Sequence, residues 1–201
     1  MPFNFSLLKS LAVATLCVTG GAIQAGPIAE TAAKIEQQAA AGDTEGALKS
    51  AQVLFGQVWE MSTAIGFTQA LLVDQPASGF GIYNPRASDV YKPGEKIVIY
   101  AEPFGFAYGS PGEGLYSIGF HVDLKVLSED GELLGDIPDL TELDLVSRYP
   151  NREFQANLTY TLDGIEPGKY LLQTTLRDKN SDRTGSFETK IEIEVEVGSG
   201  N

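Results

Sequence analysis

Two periods divide the chain: apolar residues recur every three or four positions over residues 27–61, then every two after Gly66. In the first stretch Ile28, Ala32, Ile35 and Ala39 fall on one helix face. The spacing breaks at "AAAGDTEGA", where Gly42 is placed to close one helix and Asp43 to cap the next. Beyond it Ala47, Ala51, Leu54, Val58 and Met61 form a stripe, with Phe55 and Trp59 beside it. The pattern predicts a helical hairpin over residues 26–66.

In the second stretch "YSIGFHVDLKV" sets Tyr116, Ile118, Phe120, Val122, Leu124 and Val126 against Ser117, Gly119, His121, Asp123 and Lys125. "EFQANLTYTL" does the same with Phe154, Ala156, Leu158, Tyr160 and Leu162, and "SFETKIEIEVEV" with Phe187, Ile191, Ile193, Val195 and Val197. Strict alternation marks strands with one buried and one wet face, the antiparallel habit. "FTQALLVD", "KIVIYAE" and "YLLQTTLR" predict further strands, with a shorter one near "GELLGDI". Turns are signalled at "KPGE", "EDGE" and "EPGK". About seven strands so spaced predict a β-sandwich over residues 67–201.

The helical spacing "A..GD...AL..A" resembles one tetratricopeptide-type unit, but a solenoid needs about three repeats to bury a core and one is present. Tyr170, after Pro167 and Gly168, sits where immunoglobulin-like and fibronectin-type sandwiches often place a tyrosine whose hydroxyl bonds back to nearby backbone. The antibody-type cysteine pair is absent, so the likeness is one of architecture. "GFGIYNPR", "YAEPFGFAYG", "NREFQANLTYTL" and "PGKYLLQTTLRDKNS", with the helical preface, resemble an uncharacterised family of exported bacterial proteins. The resemblance spans nearly all of the chain after residue 25. It implies an envelope location and this helix-plus-sandwich layout, and it supplies no catalytic residues. The expected fold is mainly β, an immunoglobulin-like antiparallel sandwich preceded by a two-helix hairpin.

Residues 1–25 read as a secretory signal, with Lys9 in the positive region, an apolar run over residues 11–23 and Ala25 at a small-residue cleavage point. That run falls short of the roughly 20 apolar residues that span a bilayer, so no stable membrane span is expected after its removal. Cys17, the only cysteine, lies inside it. An exported chain without cysteine must be held by its core alone. Removing Lys9 takes the 14 basic residues to 13 against 27 acidic ones, a formal charge of −14. That balance argues against nucleic acid and against a grip on anionic lipid, both of which need Lys and Arg. A periplasmic or secreted location follows.

His121, the only histidine, shares a strand face with Asp123 and Ser117. Ser117 is four residues away along an extended strand, roughly 13 Å, too far for a nucleophile and base to meet. Zinc sites built from Cys and His are excluded by composition. "DKNSDRTGSFET" begins like a calcium loop at Asp178, Asn180 and Asp182, yet puts Arg183 where Gly is needed and Thr189 where Glu is needed, so a hairpin turn is expected. A second acidic run holds Glu129, Asp130, Glu132, Asp136, Asp139, Glu142 and Asp144, with Arg148 and Arg152 following as candidate partners. Its irregular spacing specifies neither calcium nor a glycosidase pair, and a solvated loop is the default. No cofactor and no metal is expected. "NLT" at Asn157 reads as the polar face of a strand.

"EPFGFAYGSPGEGLYSIGF" interleaves aromatics and glycines in a long connection, the kind that is often functional. Phe104, Phe106 and Tyr108 alternate as on a strand with one aromatic face. Exposed, they would stack on a sugar or peptide; docked, they would cap the core or hold the helices, whose Phe55 and Trp59 need a partner. The expected function is a non-catalytic binding or scaffolding module of the envelope, not an enzyme, contacting a protein or glycan. The alternatives are a carboxylate-based hydrolase of envelope glycans using residues 129–144, and a structural subunit of a larger assembly.

Overall fold

The computed structural model describes residues 26–195, so the expected signal segment and Cys17 lie outside the described residues. The chain divides into two compact units, one ending at Ala51 and the other beginning at Gln52. The division falls inside a helix.

In the first unit α1 (Pro27–Ala40) opens on Pro27, whose fixed φ suits a first helical turn. It closes at Gly42, whose φ of 77° is the left-handed conformation of a helix terminus. Asp43 then caps α2 (Thr44–Glu60), its Oδ1 accepting the Gly46 N–H at 2.9 Å. Ser50 donates to Gln38 Oε1 at 2.7 Å and ties the two helices together.

The second unit is mainly β. Its strands are β1 (Gly66–Leu72), β2 (Val90–Tyr91), β3 (Ile97–Phe104), β4 (Tyr116–Ser128), β5 (Leu133–Ser147), β6 (Ala156–Tyr160), β7 (Gly168–Asp178) and β8 (Thr184–Ile193). They make a three-stranded sheet ordered β1-β3-β6 and a five-stranded sheet ordered β2-β8-β7-β4-β5. All pairings are antiparallel except β2 with β8. The inner faces share one core, in which Ile97, Ile99, Ala156 and Leu158 of the small sheet join Phe120, Val122, Leu172 and Ile191 of the large one. The alternation predicted for β4, β6 and β8 is therefore the boundary between core and water. Val195, placed on the buried face by that pattern, lies past the end of β8 and is exposed. Tyr170 donates its hydroxyl to the Glu166 carbonyl at 2.6 Å, the local bond that its place after Pro167 and Gly168 predicts.

Two features depart from the sequence expectation. The acidic run is no loop: it lies largely on β5, a fifteen-residue edge strand paired to β4. Between the pairs Val122↔Thr141 and Leu124↔Ile137 the register slips, leaving a bulge at residues 138–140 in which Asp139 takes φ 50°. The second is β3, which is buried on both faces up to Pro103. Its outer residues Val98 and Tyr100 lie beneath Val73, Ala77 and Tyr83 of the loop over residues 73–89. Asn157 of β6 pins that loop, accepting the Ala77 N–H at 2.8 Å and donating to the Ala77 carbonyl at 3.1 Å, so it is a clamp as well as a polar-face residue.

Candidate functional site

Glycine 105 separates the three aromatics that the sequence sets in a row. Its φ is 79°, and a Cβ there would meet Ser62 Oγ at 2.5 Å and the Ala64 carbonyl at 2.9 Å, so only glycine turns the chain here. β3 stops at Phe104, and the exposed-platform alternative does not hold for all three rings. Phe106 is 0% exposed and belongs to the core, edge-on to Phe120 at 5.6 Å and Phe154 at 6.2 Å, so it cannot stack on a ligand. Tyr108 is half-buried against Phe106 and donates to the Asn151 carbonyl at 2.9 Å. Burial pushes its hydroxyl up to about 12, with Arg152 opposing the shift and Glu60 adding to it. Phe104, at 45% exposure, remains open.

The docking role weighed for these rings is the one Phe106 takes. The Trp59 indole packs edge-on against it at 5.0 Å and donates Nε1–H to the Phe106 carbonyl at 2.7 Å. Trp59 is 7% exposed, whereas Val58 and Met61 of the predicted stripe are exposed. The buried flank of this helix end is thus rotated from the stripe toward Trp59. The β7–β8 turn braces the same region: Arg183 donates to the Gly105 carbonyl at 2.8 Å and the Glu60 carbonyl at 3.3 Å. Asp178, buried, accepts from the Ala107 N–H, the Asn180 N–H and the Ser181 hydroxyl at 2.6 to 2.9 Å. The "DKNSDRTG" segment is a hairpin turn, and the first of its two aspartates, Asp178, is consumed by these donors.

A groove of about 1170 Å³ lies where the loop over β3 ends. Phe104 and Gly105 line it at the end of β3, Phe55 and Val58 from α2, Met61 just past the end of α2, and Phe80 from the loop. Those five large apolar side chains are 38–66% exposed. Arg152 also lines it, its Cζ 4.8 Å from the Phe55 ring centroid. Arg152 does not pair with the acidic run: no ion pair to it occurs among the described residues, and its buried Nε has no acceptor. Nothing in the sequence distinguishes this arginine; the helix face that meets it lies nearly a hundred residues earlier.

The outer face of the large sheet gathers the other residues considered for chemistry. Arg177 of β7 chelates Asp123 through Nε at 2.8 Å and Nη2 at 3.1 Å, and also reaches Asp139. That pairing, with the Asp139 N–H bonding Asp123 at 2.8 Å, holds the Asp123 carboxyl below its usual range against an opposing effect of burial. Lys179 bridges Glu142 at 2.6 Å and Asp144 at 2.8 Å, and Lys125 faces Asp136 at 3.9 Å. His121 Nδ1 is 3.2 Å from Asp139 and 3.4 Å from Glu142, within Coulombic reach when protonated but off the line of a hydrogen bond. No hydroxyl bonds to His121 among the described residues, and none of them form a group of three or more acidic, His or Cys side chains suited to a metal.

No helix among the described residues is long and apolar enough to cross a membrane. No family model and no curated protein sequence matches the chain. Among solved structures it is similar to Spo0M, the sporulation control protein from Bacillus subtilis, at 15% identity and TM-score 0.33, covering 66% of this chain and 50% of that one. It is also similar to the Pseudomonas fluorescens alkylpurine DNA glycosylase AlkC bound to DNA containing an abasic site analog, at 12% identity and TM-score 0.35, covering 76% of this chain and 39% of that one. The chain spans half or less of the length of each. Similarity at that level carries no statement about fold or activity.

Proposed function

We propose that this protein is a non-catalytic binding module of the bacterial cell envelope, exported by residues 1–25, built on an immunoglobulin-like β-sandwich, and seating a polypeptide segment in the groove over Phe104. The single observation that carries the reading is the convergence of five half-exposed large apolar side chains on one groove. The Tyr170 to Glu166 bond and the two sheets sharing a core support the sandwich assignment. A polypeptide suits the groove better than a sugar, because Arg152 already occupies one face of the Phe55 ring. It suits it better than an acyl chain, because Ser62, Thr68, Asn151 and Glu153 are interspersed with the apolar side chains and leave no dry channel.

Burying the exposed remainder of each apolar side chain contributes about 1 kcal/mol, a gross gain comparable to the cost of association, so the expected binding is weak and reversible. The test is a calorimetric titration of the mature chain with short neutral peptides rich in Phe and Leu, and with chitin-type oligosaccharides. Saturable peptide binding that Phe104→Ala weakens severalfold is the expected result. Oligosaccharide binding with none to peptides, or peptide binding indifferent to Phe104→Ala, refutes the assignment.

A further inference from the structure

We infer that Arg152 is the specificity-determining residue of this groove and that it selects a segment carrying one side-chain carboxylate next to an aromatic or large aliphatic residue; the inference rests on the groove being the binding seat. The other arginines are occupied or solvated. Arg86 pairs with Glu95 at 2.9 Å, Arg177 with Asp123, and Arg183 with two backbone carbonyls, while Arg148 is exposed to water. Arg152 alone combines partial burial with no acceptor at Nε and no ion pair among the described residues.

The position is also built. A Cβ on Gly56 would stand 2.9 Å from Arg152 Nη2, so a residue without a side chain in the middle of α2 leaves the space the guanidinium occupies. Phe55, one residue earlier, holds the other side of the cation at 4.8 Å. The segment leading into Arg152 is fixed by the Tyr108 hydroxyl on the Asn151 carbonyl. A guanidinium lying over a ring, with no acceptor at Nε and an apolar groove beside it, is complementary to a planar carboxylate. Glu153 lines the groove as well, and also a neighbouring depression lined by Leu143 and Leu145; it forms no ion pair with Arg152 among the described residues. The formal charge of −13 opposes a polyacidic tract, so one carboxylate in an otherwise neutral segment fits best. A chain terminus would call for a nest of backbone N–H groups, whereas the donor here is a lone side chain.

The test uses the mature chain and two capped peptides, Ac-Gly-Ser-Phe-Asp-Leu-Gly-NH2 and its Asn counterpart, whose only charge difference is the side-chain carboxylate. The expected result is a preference for the Asp peptide of about tenfold, the range of a hydrogen bond to a charged group. Arg152→Gln removes that preference, and Arg152→Lys restores part of it. If both peptides bind alike, or the preference survives Arg152→Gln, the carboxylate inference falls while the groove reading stands. If neither peptide binds, both fall. Arg152-dependent binding of decanoate without peptide binding, or a gain for an uncapped C-terminus over the Asp side chain, overturns the choice of ligand. A dimer in sedimentation that Phe104→Ala dissolves assigns the groove to a second copy and overturns it as well.

Discussion

Replacing Phe106 with alanine removes a ring that is wholly buried and meets Trp59, Tyr108, Phe120 and Phe154 edge to face. Truncating a buried phenylalanine costs about 3 to 5 kcal/mol, because lost transfer energy adds to the cavity left behind. Four aromatic contacts of about 0.5 kcal/mol or more apiece place this site in the upper part of that range. At about 2 to 4 °C per kcal/mol for a domain this size, the midpoint should fall by about 8 to 20 °C. Phe104→Ala, two residues away but half in water, should move it by only a few degrees. The assay is thermal unfolding followed by Trp59 fluorescence, with denaturant titration as a second probe. In the Phe106 variant the native emission should also move red, since the indole loses the ring it packs against while the carbonyl it donates to is backbone and stays. Equal midpoint shifts for the two variants, or unchanged native emission with Phe106→Ala, would refute the division of these rings between core and groove.

Asp178→Ala strands three donors, two of them backbone N–H groups, in a buried turn, and should cost about 2 to 4 kcal/mol in chemical denaturation; a loss under about 0.5 kcal/mol would show that water replaces the carboxylate. Because the Asp123 carboxyl is depressed in the folded chain, its contribution is complete above about pH 4 and is lost as pH falls through the folded value. Stability measured from pH 5 down to 2 should therefore decline less steeply in Asp123→Asn than in the wild type, and parallel slopes would contradict the assigned pairing with Arg177.

How much of this was legible depends on what covers each strand. β4, β7 and β8 wet one face, so Phe120, Val122 and Leu124 or Leu172, Thr174 and Leu176 announce the core by alternation. β3 wets neither face, because the loop over Val98 and Tyr100 supplies a second apolar layer, and its sequence reads as a continuous run. β5 shows little periodicity for the opposite reason: at the sheet edge, with Gly135 and Pro138 inside it, most of its residues are exposed on both faces. The two helices were readable because caps and spacing are local. The orientation of the second was not, since Trp59 is drawn inward by Phe106, 47 positions away, and not by its own stripe. At the site, the alternation of Phe104, Phe106 and Tyr108 suggested one continuous face. Whether Gly105 continues a strand or turns it depends on Ser62 and Ala64 crowding its missing side chain, which no local pattern records.

The slip in β5 has a bearing on how this sheet ends. A long edge strand is a template on which another chain can extend the ladder, and open sheets need some device to prevent it. Here residues 138–140 break the straight run, and Pro138 lacks the N–H a neighbour would bond. The loop of backbone that carries Asp139 to Arg177 is thus also what leaves an incoming strand without a continuous row of partners. The interrupted edge and the Asp139–Arg177 pair are consequences of the same inserted residues, and sequence changes that straighten β5 would relinquish both.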